Sequence, residues 1–180
     1  MINYCCERPE DAGQIELLLD KAFGPGRFAK TAYRLREGVE FVPELSLVAW
    51  EDGVMRGALR YWPIEIGDAR APALLLGPLA VDPEHRCRGI ALRLMELSLE
   101  KAAQMGHSIV VLVGDEPFYS KVGFSAAPAR GMRMPGPVDQ ARVLARELVP
   151  GALSGISGLI HKVHATLQKQ RQPLLRATAK

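Results

Sequence analysis

The segment over residues 74–102 constrains the fold of this chain more than any other part of the sequence. It reads as an apolar strand, a short polar turn that contains Arg86, Arg88 and Gly89, and then a long amphipathic helix. The turn brings unpaired main-chain N–H groups and cationic side chains to a helix N-terminus, which carries a partial positive charge. Gly89 lets the backbone approach a bulky anion because it has no Cβ, and the small Ala91 keeps the first helical turn open. The spacing therefore predicts an anion site.

The order Arg86-x-x-Gly89-x-Ala91 is neither a Walker loop, G-x-x-x-x-G-K-[ST], nor a dinucleotide fingerprint, G-x-G-x-x-G. It resembles the pyrophosphate loop of the GNAT-type N-acetyltransferases, Q/R-x-x-G-x-G/A between a strand and a helix. Downstream, GDEPFYSKVGF resembles the family's other signature, in which a tyrosine lies just ahead of an aromatic-Gly-Phe strand start. LGPLAVDP and ELVPGALSG are similar to an uncharacterised bacterial branch of that family. The resemblance covers roughly residues 1–155.

The resemblance implies acetyl-coenzyme A as co-substrate. Its diphosphate needs converging donors, which the main chain of residues 86–91 supplies, with arginine side chains nearby. Its pantetheine arm can pair like an extra strand with an open sheet edge. We expect that edge where Gly77-Pro78 interrupts a strand, because proline cannot donate to a sheet ladder. The expected cofactor-binding residues are Leu79, Ala80, Val81, Arg86, Cys87, Arg88, Gly89, Ile90 and Ala91.

The implied reaction is direct attack by a primary amine, on a small molecule or a peptide, on the thioester. A main-chain N–H of the interrupted strand would stabilise the oxyanion. Tyr119 matches the family's tyrosine that gives a proton to the departing thiolate; the alternative is a helix-surface aromatic with no catalytic role. The general base stays open between bulk solvent and Asp82, Glu84, His85, Asp115 and Glu116. Phe28, Tyr33, Phe41 and Trp62 are candidates for the walls of the acceptor site.

Two other functions compete with this interpretation. The first is a non-catalytic module that binds or senses acyl-coenzyme A, against which the intact Tyr119 speaks. The second is a nucleic-acid-associated protein that uses the basic, acid-free stretch from His161 to the end of the chain. That stretch has no interleaved aromatics, so a solvated tail is the better interpretation. We expect a short helix to about Arg171 and a loose end without a catalytic role; packing on the core and pairing in a homodimer stay open.

The pattern of elements predicts an α/β (α+β) fold with a mixed, mostly antiparallel sheet, one parallel central pairing and a splayed pair of strands, flanked by helices. We expect one domain over residues 1–157 and a basic tail over 158–180. Predicted strands cover 2–8, 45–51, 54–66, 74–81, 108–113 and 142–149, with another opening at Phe124; predicted helices begin at Pro9 and cover 28–37, 89–105 and 117–121.

The sequence predicts a cytoplasmic protein. It contains no apolar run of about 18 residues and no apolar N-terminal stretch typical of a signal peptide. Cys5, Cys6 and Cys87 form no C-x-x-C motif and are odd in number, which favours a reducing compartment. His161 and His164 lie three apart without a third ligand nearby, so we expect no metal site.

Overall fold

A twisted sheet flanked by helices makes up the computed structural model, which describes residues 1–163. The strands are β1 (Asn3–Cys6), β2 (Leu47–Glu51), β3 (Val54–Ile66), β4 (Ala71–Val81), β5 (Ile109–Val113), β6 (Met132–Arg133), β7 (Val143–Glu147) and β8 (Gly158–Lys162). The α-helices are α1 (Ala12–Phe23), α2 (Thr31–Arg36), α3 (Ile90–Gln104) and α4 (Glu116–Tyr119). Among these helices, none has the length and apolar character that a membrane crossing requires.

The strand order along the sheet is β1-β2-β3-β4-β5-β7, with β8 paired to β3 and to the short β6. Neighbours along the main path are antiparallel except β4 and β5, which run parallel. The mixed, mostly antiparallel sheet with one parallel central pairing is therefore confirmed.

The sheet splays where Gly77-Pro78 interrupts β4. The register between β3 and β4 shifts there, because Leu59 faces Leu79 whereas Tyr61 faces Leu76. On the other side, β5 pairs with β4 only at Leu74 and Leu75. Beyond Leu75, that edge of β4 has no partner strand within residues 1–163. The predicted splay is confirmed.

Helices cover both faces of the sheet. Leu47 and Ala49 of β2 belong to the core under α3, whereas the intervening Val48 packs with α1, as the alternation of side chains along a strand requires. Helix α3 lies very close to β3, because a Cβ on Gly57 would be 2.8 Å from Cγ2 of Ile90. This close packing holds the start of α3 next to the end of β4.

The start of the predicted tail differs from expectation. Residues 158–162 form strand β8, so the helix predicted from the chain around His161 is wrong for these residues. The physical reason is an open edge on β3, a strand that lies far away in sequence. Strand β2 pairs with β3 only as far as Leu59, and β8 pairs with β3 further along, at Ile64–Ile66. Ile160 is fully buried there.

One further expectation is wrong, and another falls on residues that the structure does not describe. The strand predicted to open at Phe124 is wrong, since only an isolated bridge between Ser125 and Ala145 forms there. His164, the rest of the helix predicted to about Arg171, and the loose end lie outside the described residues.

Candidate active site

The loop between β4 and α3 presents unpaired backbone donors to open space. Cys87 and Gly89 adopt left-handed backbone conformations, with φ of 63° and 78°. The main-chain N–H groups of residues 86–92 donate no hydrogen bond to any part of the described chain. A Cβ placed on Gly89 would meet nothing within 4 Å. The loop therefore has the geometry of an anion cradle at a helix N-terminus, as predicted from the spacing.

Asp82 anchors this loop to the sheet and to α1. Its carboxylate accepts hydrogen bonds from Lys21 Nζ at 2.7 Å, Arg56 Nη1 at 2.9 Å and the main-chain N–H of Glu84 at 3.2 Å. These bonds, that of Lys21 foremost, lower the pKa of Asp82 to about 2. Ligand atoms of Asp82, Glu84 and His85 lie within 4.8 Å of one another. However, cations already neutralise the Asp82 carboxylate, which disfavours a metal ion there.

The two arginines of this loop, Arg86 and Arg88, differ in their ion pairing. Arg88 forms a bidentate pair with Glu51 of β2, with both N–O distances at 2.7 Å. That pair lowers the pKa of Glu51 to about 2. Arg86 is exposed and forms no ion pair with the residues that the structure describes. Arg88 thus braces the loop, and Arg86 is the arginine available to an approaching anion.

The residues expected to pair with pantetheine lie on the open edge of β4. Leu79, Ala80 and Val81 pair with β3 through one side of their backbone, opposite Leu59, Ala58 and Gly57 respectively. The other side of their backbone has no strand beside it, because β5 diverges from β4 after Leu75. Ala80 is buried in the core under α1, whereas Leu79 and Val81 are partly exposed. This edge can accept an extended amide chain as an additional strand.

Tyr119 lies across the gap from this edge. A cleft of about 460 Å³, the central cleft, lies between them. It is lined by residues 75–79 of β4, by Val113 at the end of β5, by Gly114 and Asp115 directly after it, and by Tyr119. The Tyr119 ring lies directly on Gly114, where any Cβ would overlap it, and makes an edge contact with Phe124 at 6.3 Å between centroids. Burial, together with the Asp115 carboxylate, raises the pKa of Tyr119. The phenol is therefore protonated at neutral pH and faces the gap.

A second cleft, the side cleft, has a volume of about 530 Å³ and meets the central cleft at Pro78. Phe28, Tyr33 and Trp62, which the sequence analysis named as candidates for the walls of the acceptor site, line it. Phe41 does not line it but packs behind Trp62, with ring centroids 5.8 Å apart.

A family model described as an acetyltransferase (GNAT) domain matches residues 8–127. The chain belongs to the GNAT family. It is 32% identical over 155 residues to the uncharacterised N-acetyltransferase YhbS of Escherichia coli K12, covering 86% of this chain and 92% of YhbS.

Solved structures of GNAT proteins have the same fold as this GNAT domain. The crystal structure of YhbS from Escherichia coli in complex with CoA matches with a TM-score of 0.77 at 30% identity, covering 90% of this chain and 89% of that one. A GNAT family acetyltransferase from Brucella melitensis in complex with acetyl-CoA matches with a TM-score of 0.67 at 26% identity, covering 93% and 98%.

The candidates for a general base lie in different places relative to the clefts. Of the groups that the sequence left as candidates, only Asp115 lines the central cleft, and its carboxylate pairs with Arg142 at 3.2 Å. Asp82, Glu84, His85 and Glu116 line neither cleft.

Sequence reasoning missed the arginines of the side cleft, which are Arg27, Arg34, Arg36 and Arg60. Arg60 carried a usable signal, since it interrupts the otherwise apolar stretch GALRYWPI. The other three lie in a segment already rich in charge, where an arginine resembles any solvated side chain.

Proposed function

We propose that this protein is an acetyl-coenzyme A-dependent N-acetyltransferase that moves the acetyl group to a primary amine by direct attack in a ternary complex. The observation that carries the proposal is the open edge of β4, with the anion cradle at one end and Tyr119 across the gap. In this arrangement the main chain of residues 86–91 binds the diphosphate, with Arg86 beside it. Leu79, Ala80 and Val81 pair with pantetheine.

The proposed reaction passes through a tetrahedral intermediate. The amine nitrogen attacks the thioester carbonyl carbon, and a main-chain N–H of β4 donates to the oxyanion that forms. The tetrahedral intermediate expels coenzyme A as thiolate, and Tyr119 gives its hydroxyl proton to the sulfur. The amine nitrogen loses one proton, and the phenolate regains one from water. Orientation of the two reactants in one cleft supplies much of the acceleration.

The environment of Tyr119 supports its role as acid. A partly buried phenol with a raised pKa is protonated at neutral pH, so it has a proton to give when the thiolate leaves. The ring is held by Gly114, Phe118 and Phe124, so the hydroxyl has a defined direction.

Turnover by a Tyr119→Phe variant tests this proposal. The purified protein is incubated with acetyl-coenzyme A and a panel of amines, amino acids and short peptides, and both thiol release and the amide product are followed. On an acceptor found in this way, Tyr119→Phe should lower kcat by ~10²-fold, because the ring stays and only the proton donor goes. The affinity for acetyl-coenzyme A, measured by calorimetry, should not change.

Tyr4→Phe is the matched control, since Tyr4 lies on β1 and lines neither cleft. It should keep wild-type turnover. Wild-type turnover in Tyr119→Phe would remove the tyrosine from the chemistry. Tight binding of acetyl-coenzyme A without an amide product from any amine would favour the sensing module instead.

A further inference from the structure

Arg36 has two neighbouring arginines in the side cleft, Arg27 and Arg60, and carboxylates neutralise both of them. Arg27 pairs with Glu16 at 2.7 Å and with Asp20 at 3.0 Å. Arg60 forms a bidentate pair with Glu7 at 2.7 and 2.8 Å and reaches Glu16 at 3.4 Å. The carboxylates around these two arginines therefore compensate their charges.

Arg36 is the third arginine, and it lacks a counter-ion. Within residues 1–163, no carboxylate lies at ion-pair distance from it, and its buried Nε has no hydrogen-bond partner. Its guanidinium stacks on the Tyr33 ring, 4.8 Å from the ring centroid. Burial, together with Arg27 and Arg60, lowers the pKa of Arg36 to about 10, so it still carries its charge at neutral pH. A half-buried cation without a counter-ion is costly, and a bound anion would offset that cost.

Arg36 also lies next to the proposed reaction centre. Its Nη2 is 3.1 Å from the position that a Cβ on Gly77 would take, and Gly77 lies two residues before Leu79 on the open edge of β4. Arg36 lines both clefts. An anionic group bound to it would therefore hold the rest of the same molecule close to the acetyl group.

We propose that the acceptor amine also carries a carboxylate, and that Arg36 binds this carboxylate; the inference rests on the proposed N-acetyltransferase activity. One uncompensated guanidinium matches a singly charged carboxylate, which its fork of donors binds in bidentate fashion. A doubly charged phosphate would need a second uncompensated cation. The side cleft, at about 530 Å³, has the size of a small-molecule site, and Phe28 and Trp62 give it an apolar wall. The substrate class is thus a small amino acid or a similar amino carboxylate.

Matched pairs of acceptors test this inference. The free amino acids and their neutral C-terminal amides are compared as substrates with acetyl-coenzyme A, together with aminoalkyl phosphonates. We expect the acid of a pair to exceed its amide in kcat/KM by roughly 10- to 100-fold, the effect of one charge-assisted hydrogen-bonded pair. Arg36→Gln should bring this ratio close to one, because kcat/KM for the acid falls by much more than kcat/KM for the amide. Arg36→Lys, which keeps the charge but loses the fork, should retain part of the ratio.

Arg34→Gln is the matched control. Arg34 lines the same cleft and is exposed, and within residues 1–163 its side chain donates only to the carbonyl oxygen of Pro135, at 3.4 Å. It should keep the wild-type ratio. The inference is overturned if amides or phosphonates are used as well as the acids, or if Arg36→Gln lowers both members of a pair equally. If an Arg36 variant fails to fold, the ratio of kcat/KM between acid and amide in the wild-type protein still tests the preference for a carboxylate.

A binding measurement separates this inference from the proposed function. The same amino acids and amides are titrated calorimetrically into the wild-type protein and Arg36→Gln, each saturated with coenzyme A. Arg36-dependent binding of the acids without acetylation of any amine would leave the carboxylate site standing and refute the proposed function. Acetylation of amines without a preference for the acids would support the proposed function and refute the carboxylate site. Absence of both acid binding and acetylation would refute both.

Discussion

At the scale of single residues, the position of Tyr119 depends on a glycine that carries no chemistry itself. Gly114 directly follows β5, and the Tyr119 ring occupies the space where any other residue at this position would place its Cβ. The phenol can face the central cleft only because this side chain is missing. Gly114 is therefore a positioning residue for Tyr119.

Gly114→Ala tests this dependence. The new methyl group should push the ring aside, reduce turnover on an identified acceptor by about 10-fold or more, and lower the free energy of unfolding by about 1–3 kcal/mol, as overpacking does. Turnover and urea unfolding are the measurements. Gly13→Ala is the control, since Gly13 lies in α1 with nothing within 4 Å of a new Cβ. It should keep full turnover and gain about 0.5–1 kcal/mol. Unaltered turnover in Gly114→Ala would contradict the role of Gly114.

At the scale of elements, Asp82 joins the anion loop to two other parts of the fold. Lys21 belongs to α1 and Arg56 to β3, and both donate to the Asp82 carboxylate. Because its pKa in the folded protein is about 2, below that of an unfolded aspartate, this group stabilises the fold above pH ~4. The contribution falls as pH decreases from there through the folded pKa, when the carboxylate takes up a proton.

Asp82→Asn should therefore destabilise the protein at neutral pH, by about 1–2 kcal/mol, and leave a smaller difference from wild type near pH 2. Urea unfolding as a function of pH measures both effects. Glu84→Gln, an exposed change on the same loop, should differ little from wild type at any pH. A difference between Asp82→Asn and wild type that stays constant down to pH 2 would contradict the linkage.

Local patterns predicted most elements but not all of them. The bounds of β3 agree with prediction because Asp52-Gly53 marks its start and a regular apolar pattern follows. Strand β8 was missed because its partner edge on β3 lies about a hundred residues earlier in the chain. The loop that we propose to bind the diphosphate was visible from Arg86 and Gly89, which lie on one strand-to-helix turn. Arg36 was not, because the absence of a counter-ion is a property of packing and leaves no mark in the sequence.

At the scale of the whole molecule, the splay of the sheet brings the functional groups together. The divergence of β5 from β4 opens the central cleft and exposes the edge of β4. Packing of α3 against Gly57 brings the anion loop to one end of that edge, and α2 brings Arg36 to the other. The proposed cradle for the diphosphate, edge for pantetheine and cavity for the acceptor thus lie around one interruption of a strand.

Calorimetric titration with acetyl-coenzyme A tests this account most directly, with Gly89→Asp compared to Gly106→Asp. Both glycines have positive φ, 78° and 85°, and neither has an atom within 4 Å of a new Cβ, so the two changes strain the backbone alike. Only Gly89 lies at the N-terminus of α3, where a carboxylate would meet the diphosphate. We predict that Gly89→Asp stays folded and loses more than about 10-fold in affinity, whereas Gly106→Asp binds like the wild type. Equal affinity of a folded Gly89→Asp variant and the wild-type protein would contradict the proposed acetyl-coenzyme A site.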